Sequence, residues 1–442
     1  MRMFRSLLIA LVLFPGVPAV VHGQIRRIRV PLGDAVHKAL EKSALTGPQA
    51  MPFHVRLQVS EPAYPDSPYQ GSIEEWWISA NQWRRVVTSK QGMRQIVVVT
   101  DGKRTELDQG DYLPLWLREF EIAVFDPVPD AAAWTSAGMT IDQIILPNGQ
   151  KSDACARLQS KIGTGINATD AFSNVCFDEQ GRLKFVGSPR YSMEFHDYHG
   201  FGRKQIARTL VNDPEPGTRL IGKVTVLEPM SKVKNAADLI TPLPTTDDRF
   251  RSISADSAGM ERLTAGNPSI SWPTVRSGKT SGTLAVYISA DDRGNVREVW
   301  PLNSDNANLS DAVRDQVRKW KLRPATDEAG HLVQVEGGLG FAFQTSIADP
   351  LPVITGGDIA KVASGCGYDP TLPAGLLASG KTFVIRVSVD ESGKIEEEQF
   401  PDGIPWNVIQ RAGLRTRDCR FQPWIAHGRP TEYFIDFTFT AP

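Results

Sequence analysis

The chain has 442 residues, a length typical of about three domains, and its 49 Lys and Arg nearly balance its 50 Asp and Glu. A formal net charge of −1 gives no general attraction to nucleic acid or anionic lipid, so no nucleic-acid partner is predicted. Hydrophobic residues at 41% exclude wholesale disorder. No apolar run beyond residue 23 approaches the roughly 18 residues of a membrane helix, which excludes a polytopic membrane protein.

Residues 1–23 are typical of an export signal. Two arginines precede a short apolar core at residues 6–14, two prolines interrupt the apolar stretch, and the small residue Gly23 precedes Gln24. We therefore expect the signal to be cleaved before Gln24 and the mature chain to be periplasmic. The alternative is an uncleaved anchor that holds the chain in the inner membrane, facing the periplasm.

Residues 24–236 are predicted to form a large antiparallel sheet with few helices. Helices are expected at residues 34–45 and 112–124, each with recognisable start or stop residues. Alternating apolar and polar residues, or short apolar runs between turn signals, predict strands at residues 53–59, 71–79, 83–88, 93–100, 182–186, 206–211 and 222–227. A stretch rich in Pro, Thr and Asp then predicts a linker over residues 237–268.

The four cysteines are an even number, as expected for an exported chain with disulfide bonds. Cys155 and Cys176 lie in two strand-like segments joined by a polar loop, whereas Cys366 and Cys419 fall together in the last domain. Four cysteines allow three pairings, of which we favour Cys155 with Cys176 and Cys366 with Cys419. Two free buried thiols are the alternative for each pair. The sequence contains no Cys-x-x-Cys motif, so neither a redox site nor a zinc ribbon is predicted.

The strongest internal signal is a repeat near the C-terminus. Asp291 and Gly294 recur 99 residues later as Asp390 and Gly393. Each copy predicts a hairpin with an Asp-x-x-Gly tip, an amphipathic helix ended by proline, and a final strand. Each copy is therefore expected to be a β-β-α-β unit, in which one helix packs on a three-stranded antiparallel sheet.

This ordered set of features resembles the C-terminal domain of TonB-type energy transducers, once in residues 269–348 and again in residues 349–442. The matching residues of the first copy are Asp291, Gly294, Val296, Leu309, Val313, Trp320, Pro324, Gly330, Phe341 and Phe343. Those of the second copy are Asp390, Gly393, Ile395, Phe421, Pro423, Trp424, Gly428, Phe437 and Phe439. The predicted fold class is α+β, with a large antiparallel domain followed by two small β-β-α-β domains.

The TonB resemblance implies a non-enzymatic role without cofactor or metal. Such domains accept an extended segment of an outer-membrane receptor, because free N–H and C=O groups of an edge strand bond to the incoming peptide. By this resemblance an outer-membrane receptor or another envelope protein docks on residues 431–440. The partner-strand candidates are Tyr433, Ile435, Phe437 and Phe439. The alternative is that this edge is capped or pairs with the other repeat.

Residues 24–236 also resemble, more faintly, the periplasmic lipoprotein carriers of the LolA type. The resemblance rests on a helix followed by long antiparallel strands, on a hairpin at residues 176–181 and on a strand-and-turn segment at residues 195–204. It implies an open half-barrel whose concave face holds the acyl chains of lipid. The candidate groove residues are Trp76, Trp77, Trp83, Trp116 and Trp134. The alternative is that these tryptophans fill an ordinary core.

The sequence contains neither a nucleotide-binding P-loop nor the HExxH and GxSxG motifs of hydrolases. His196 and His199 are three residues apart in a strand and would point to opposite faces, so no metal site is predicted. The sequence therefore predicts an exported binding protein, an adaptor in envelope transport that acts by strand pairing. A periplasmic lipid or lipoprotein carrier is the first alternative, and a structural envelope protein without a dedicated ligand is the second. The oligomeric state is left open.

Overall fold

The computed structural model describes residues 26–47, 50–129, 131–136, 138–145, 153–215, 217–244, 250–365, 368–373, 375, 377–401, 403–416, 419–426 and 428–442. The predicted signal at residues 1–23 lies outside the described residues. The described chain divides into two compact units. The first comprises the residues up to Ile270 together with Thr283–Ser304 and Ser310–Ala342, and the second comprises Ser271–Gly282, Asp305–Leu309 and Phe343–Pro442.

The first unit is built on a large antiparallel sheet. The strands that precede the C-terminal repeats are β1 (Arg26–Pro31), β2 (Phe53–Ser60), β3 (Gly71–Ser79), β4 (Gln82–Ser89), β5 (Arg94–Thr100), β6 (Lys103–Gln109), β7 (Thr140–Ile145), β8 (Ala154–Ile162), β9 (Thr169–Phe177), β10 (Leu183–Ser188), β11 (Tyr191–Phe201), β12 (Lys204–Glu215) and β13 (Thr218–Pro229). In the described part of the chain, eleven of them form one sheet in the order β6-β5-β4-β3-β2-β13-β12-β11-β10-β9-β8. Strands β1 and β7 pair separately.

The prediction of a large antiparallel sheet with few helices is confirmed, and each of the predicted strands overlaps a strand of this sheet. Strand β6 was not predicted. Its alternate residues Glu106 and Asp108 are buried where apolar residues would have given the period-two pattern. The two hairpin halves of the sheet join where β2 pairs with β13, so that Ser60 lies opposite Ile221.

The helices of this part of the chain are α1 (Leu32–Ser43), α2 (Leu115–Phe125), α3 (Ala131–Ser136), α4 (Ala236–Leu239) and α5 (Ser257–Thr264). Helix α2 lies close to the sheet because glycine occupies the strand positions beneath it. A Cβ atom on Gly222 would lie 2.7 Å from the Phe120 ring, and one on Gly71 would lie 3.1 Å from the Trp116 ring. Among the described residues, no helix has the length and apolar character needed to cross a membrane.

The predicted linker at residues 237–268 is not a free tether in its described residues. Leu239 and Ile240 pack with Ile96 and Val98 of β5, on the face of that strand opposite to Gln95 and Val97. Further along, α5 and a short strand at Ser252–Ser254 form. The Pro and Thr content of this stretch predicts a linker, although a few apolar side chains within it pack against the sheet.

The short strand of the predicted linker is β14 (Ser252–Ser254). The first repeat contributes β15 (Ser281–Ala290), β16 (Val296–Ser304), α6 (Ser310–Val317), β17 (Ala325–Thr326) and β18 (Leu332–Gln344). Its described sheet has the order β14-β18-β15-β16, with β17 paired to β18. The β-β-α-β order of β15, β16, α6 and β18 agrees with the prediction, and β14 adds a parallel strand beside β18. Tyr287 and Trp300 belong to the same core as the large sheet, so most of this repeat is part of the first unit.

The second repeat lies in the second unit. Its elements are β19 (Val353–Thr355), α7 (Ile359–Val362), β20 (Ala363–Ser364), β21 (Thr382–Val389), β22 (Ile395–Gln399), α8 (Trp406–Thr416), β23 (Arg420–Phe421), β24 (Trp424–Ala426), β25 (Arg429–Thr431) and β26 (Tyr433–Thr440). Within the described residues, its main sheet has the order β19-β26-β21-β22. The β-β-α-β order is again present in β21, β22, α8 and β26.

Strand β26, the predicted docking strand, is an internal strand of this sheet. It pairs antiparallel with β21 along its whole length and parallel with β19 on its other side. The Phe434 N–H donates to the Pro352 carbonyl at 2.8 Å, and the Thr440 N–H donates to the Pro370 carbonyl at 2.7 Å. The partner-strand candidates Tyr433, Ile435, Phe437 and Phe439 are fully buried in the core. The capped-edge alternative therefore describes this strand.

Candidate functional site

Helices α1 and α2 cover an apolar region of the large sheet formed by β10 to β13, which we call the apolar half. A pocket lies between these helices and the sheet, the apolar pocket. It is lined by Ser43, Leu45, Ala123, Val124, Pro127, Leu183, Phe195, Tyr198, Ile206, Ala207, Leu210 and Val224. Its cavity volume is about 20 Å³, which is room for about one water molecule. The pocket is therefore closed in this structure, and its wall is almost entirely aliphatic or aromatic.

A buried lysine, Lys204, forms hydrogen bonds with the backbone at the rim of this pocket. The Lys204 ammonium donates to the Ala44 carbonyl at 2.7 Å and to the Thr46 carbonyl at 3.3 Å, on either side of the pocket residue Leu45. The Thr46 hydroxyl in turn donates to the Phe125 carbonyl at 2.7 Å, at the end of α2. Burial lowers the pKa of Lys204. These contacts, which we call the Lys204 latch, join β12 to the ends of both covering helices.

Tyr198 is the polar side chain that the apolar half places in the pocket wall. Its hydroxyl donates to the Leu183 carbonyl at 2.6 Å, and the Arg182 guanidinium lies 4.4 Å from the centre of its ring. Burial raises the pKa of Tyr198 above its ordinary value, so the hydroxyl stays protonated and uncharged. No lining residue of the pocket carries a charge, which suits an apolar ligand.

Strands β3 to β6, the polar half of the sheet, present charged groups to α2. The Arg85 guanidinium bonds to Glu75 at 2.5 Å and to Glu121 of α2, and it lies 3.8 Å from the centre of the Phe125 ring. Burial raises the pKa of Glu75 to about 7, against the opposing effect of Arg85. This half therefore holds α2 through directional ion pairs.

The first repeat fixes the other side of α2. The Glu298 carboxylate of β16 accepts the Leu115 N–H at 2.6 Å and the Tyr112 hydroxyl at 2.5 Å, so it caps the start of the helix. Burial raises the pKa of Glu298. One turn later, the Arg118 guanidinium lies 2.6 Å from the Glu336 carboxylate of β18. Glu298 and Glu336 are both far from α2 in the sequence, so no local capping motif predicts these contacts.

None of the five tryptophans proposed for a groove lines the apolar pocket, and the alternative of an ordinary core describes two of them. Trp116 and Trp134 are buried in the core of the first unit. Trp77 stacks on Phe53, and Trp76 stacks on His54. The pocket residues are aliphatic side chains in ordinary strand and helix patterns. No sequence signal separates such side chains from the rest of a core, so the sequence did not identify the pocket.

A disulfide bond joins Cys155 and Cys176, which face each other across β8 and β9. Cys419 is also disulfide-bonded, but Cys366 lies outside the described residues, so that pairing stays a prediction. His196 contacts Glu194 and His199 contacts Asp197, each at the surface. Within the described ranges, no cluster of three potential metal ligands is present.

No protein-family model and no curated protein matches the chain. Among solved structures it is similar to a domain described as an outer membrane lipoprotein-sorting protein from Vibrio parahaemolyticus, at 11% identity and a TM-score of 0.24, covering 47% of this chain and 98% of that one. A LolA superfamily protein from Nitrosomonas europaea matches at 11% identity and a TM-score of 0.23, over 45% and 93%. A DUF1329 family protein from Desulfovibrio piger matches at 6% identity and a TM-score of 0.21, over 47% and 96%. None of these is described as a TonB-type domain.

Proposed function

We propose that the protein is a carrier for a molecule with an acyl chain, a lipid or a lipoprotein, which it holds in the apolar pocket of the first unit. The observation that carries this proposal is the pocket itself, a wall of uncharged side chains between the sheet and two covering helices. Burying an acyl chain there stabilises the complex by about 0.8 kcal/mol for each methylene removed from water. The role requires neither catalysis nor a cofactor.

Binding requires the pocket to open, because a cavity of about 20 Å³ has no room for an acyl chain. The covering helices contact the sheet through side chains and the Lys204 latch. The pocket can therefore open without breaking any strand pairing. Helix α2 is held at its start by Glu298 and by the Arg118–Glu336 pair. We therefore expect the end of α1, with Leu45, to move away from the pocket.

The periplasm is the proposed compartment. The Cys155–Cys176 disulfide is of the kind that persists in an oxidising environment, and residues 1–23 are predicted to direct export. The proposal replaces strand pairing at β26 as the leading function, because β26 pairs with β21 along its whole length and β19 covers part of its other edge.

The test measures the binding of dansyl-undecanoic acid to the full-length chain, with dansyl fluorescence as the readout. Val224 lines the pocket and is half-buried, so Val224→Trp fills the site with limited strain. The next residue is exposed, and Thr225→Trp is the matched control. We expect Val224→Trp to weaken binding roughly tenfold or more, which is the loss of about two methylene contacts.

Thr225→Trp should bind the probe as the wild type does, and both variants should keep the wild-type melting temperature. Equal affinity of the two tryptophan variants, or no binding by the wild type, would remove the carrier proposal. Mass spectrometry of an organic extract from the natively purified chain would identify the class of cargo.

A further inference from the structure

A second cleft of about 560 Å³ lies in the first unit, where the turn between β10 and β11 meets β14, the start of α5 and β18. We call it the Arg190 cleft. Its polar lining includes Lys161, Ser173, Ser188, Arg190, Ser254 and Tyr287. The wall also includes the carboxylate of Asp256, so charged and hydroxyl groups distinguish the cleft from the uncharged apolar pocket.

Among the described residues, Arg190 has no carboxylate within ion-pairing distance, unlike Arg85 and Arg118 of the same unit. Arg85 bonds to Glu75 at 2.5 Å, and Arg118 lies 2.6 Å from Glu336. Arg190 instead makes one long hydrogen bond, 3.5 Å from its Nη1 to the Ser254 hydroxyl. Its Nε is buried and has no hydrogen-bond partner among the described residues. An anion in the cleft would therefore gain a charge-assisted hydrogen bond from this guanidinium, whose Nη1 is exposed.

Two further hydroxyl groups belong to the wall of the cleft, those of Ser188 and Tyr287. The Ser188 hydroxyl is buried and has no partner within the part of the chain that the structure describes. Tyr287 also lines the cleft, where its hydroxyl contacts Ser254. Burial, together with the nearby Glu336 carboxylate, raises the pKa of this hydroxyl and keeps it protonated. Together with the guanidinium, these groups can donate to several oxygens of one ligand.

The acidic side chains near the cleft are already engaged. Asp256 caps α5 by accepting the Gly259 N–H at 2.7 Å. Glu336 pairs with Arg118 and accepts the Ser254 hydroxyl at 3.3 Å, and the same serine oxygen accepts from Arg190 at 3.5 Å. The unpaired cation of the cleft therefore remains available to a ligand.

We propose that the Arg190 cleft binds a phosphate group through the Arg190 guanidinium, with the Ser188 and Tyr287 hydroxyls as further donors. The planar guanidinium fork matches two phosphate oxygens, and the hydroxyls suit a third. The phosphate belongs either to a small solute or to the head group of a phospholipid. This site is separate from the apolar pocket and stands without the carrier proposal.

The test measures binding to the full-length chain by titration calorimetry with three probes: inorganic phosphate, glycerol 3-phosphate and monomeric dihexanoylphosphatidylglycerol. Arg190→Gln removes the guanidinium, and Arg203→Gln removes the same charge from an exposed turn as the matched control. We expect Arg190→Gln to weaken binding roughly tenfold or more, as loss of a charged hydrogen-bond partner does. Arg203→Gln should bind as the wild type does, and Ser188→Ala should bind several-fold more weakly.

Binding of inorganic phosphate or glycerol 3-phosphate that is lost in Arg190→Gln supports the site with a soluble ligand. Binding of dihexanoylphosphatidylglycerol alone, lost in the same variant, supports it with a lipid head group. No binding of any probe, or equal binding by Arg190→Gln and Arg203→Gln, overturns the proposal. Dansyl-undecanoic acid binding in Arg190→Gln is expected to be unchanged, so this result is independent of the carrier test.

Discussion

The apolar half and the polar half of the large sheet meet the same helix, α2, in different ways. On the apolar half, Ala123 and Val124 face a wall of uncharged side chains and a closed pocket. On the polar half, Arg85 joins Glu75 of the sheet to Glu121 of the helix. The same helix therefore makes apolar contacts with one half of the sheet and ion pairs with the other half.

The difference matters because the two kinds of contact respond differently to movement. Apolar contacts are non-directional, so a ligand chain can replace the covering side chains with little net loss. Buried ion pairs are directional, and separating them leaves uncompensated charge. We infer that the ion pairs on the polar half and in the first repeat hold α2 in place while the apolar half exchanges contacts with cargo.

The largest effect is expected from Arg118→Met. This change leaves the Glu336 carboxylate buried without its counter-ion and should lower the free energy of unfolding by about 3–5 kcal/mol. Urea denaturation followed by tryptophan fluorescence measures it. The double variant Arg118→Met with Glu336→Leu should recover most of the loss. Arg190→Met, where no carboxylate is stranded, should cost less than about 1 kcal/mol. A fully stable Arg118→Met variant would show that the pair does not hold α2.

A pH effect is expected from Glu75. Its folded-state pKa of about 7 lies above the ordinary 4.5 because of burial, so the native state holds the proton more tightly than the unfolded chain. The free energy of unfolding should therefore fall as the pH rises from about 4.5 to about 7, by about 3 kcal/mol. Glu75→Gln should remove this part of the dependence, which urea denaturation at several pH values would reveal. An identical pH profile in that variant would assign the effect to another group.

Much of the sheet is predictable from the sequence because one face of most strands is buried. In β2, the buried Phe53, Val55, Leu57 and Val59 alternate with exposed or half-buried polar residues, and this pattern alone predicts the strand. In β6 the inward positions carry Glu106, held by Gln95 and Arg104. Acidic side chains at the buried positions leave no hydrophobic period, so this strand could not be found in the same way.

The candidate site is less predictable than the sheet. The cap of α2 comes from Glu298, which lies 183 residues beyond the Leu115 N–H that it accepts. The docking role assigned to residues 431–440 stays a prediction. The sequence did not show that β19, a strand of only three residues, pairs with part of this edge. Both features depend on contacts between distant segments, which periodicity and local motifs do not encode.

The smallest expected change in stability concerns the Lys204 latch. Lys204→Met removes two hydrogen bonds to the Ala44 and Thr46 carbonyls and should lower the free energy of unfolding by about 1 kcal/mol. If the end of α1 is the moving part, the same change should speed the association of dansyl-undecanoic acid several-fold, as stopped-flow fluorescence would record. Lys223→Met, at an exposed position of β13, is the matched control and should leave the rate unchanged. An unchanged rate in Lys204→Met would place the opening elsewhere and would favour movement of α2, despite its ion pairs.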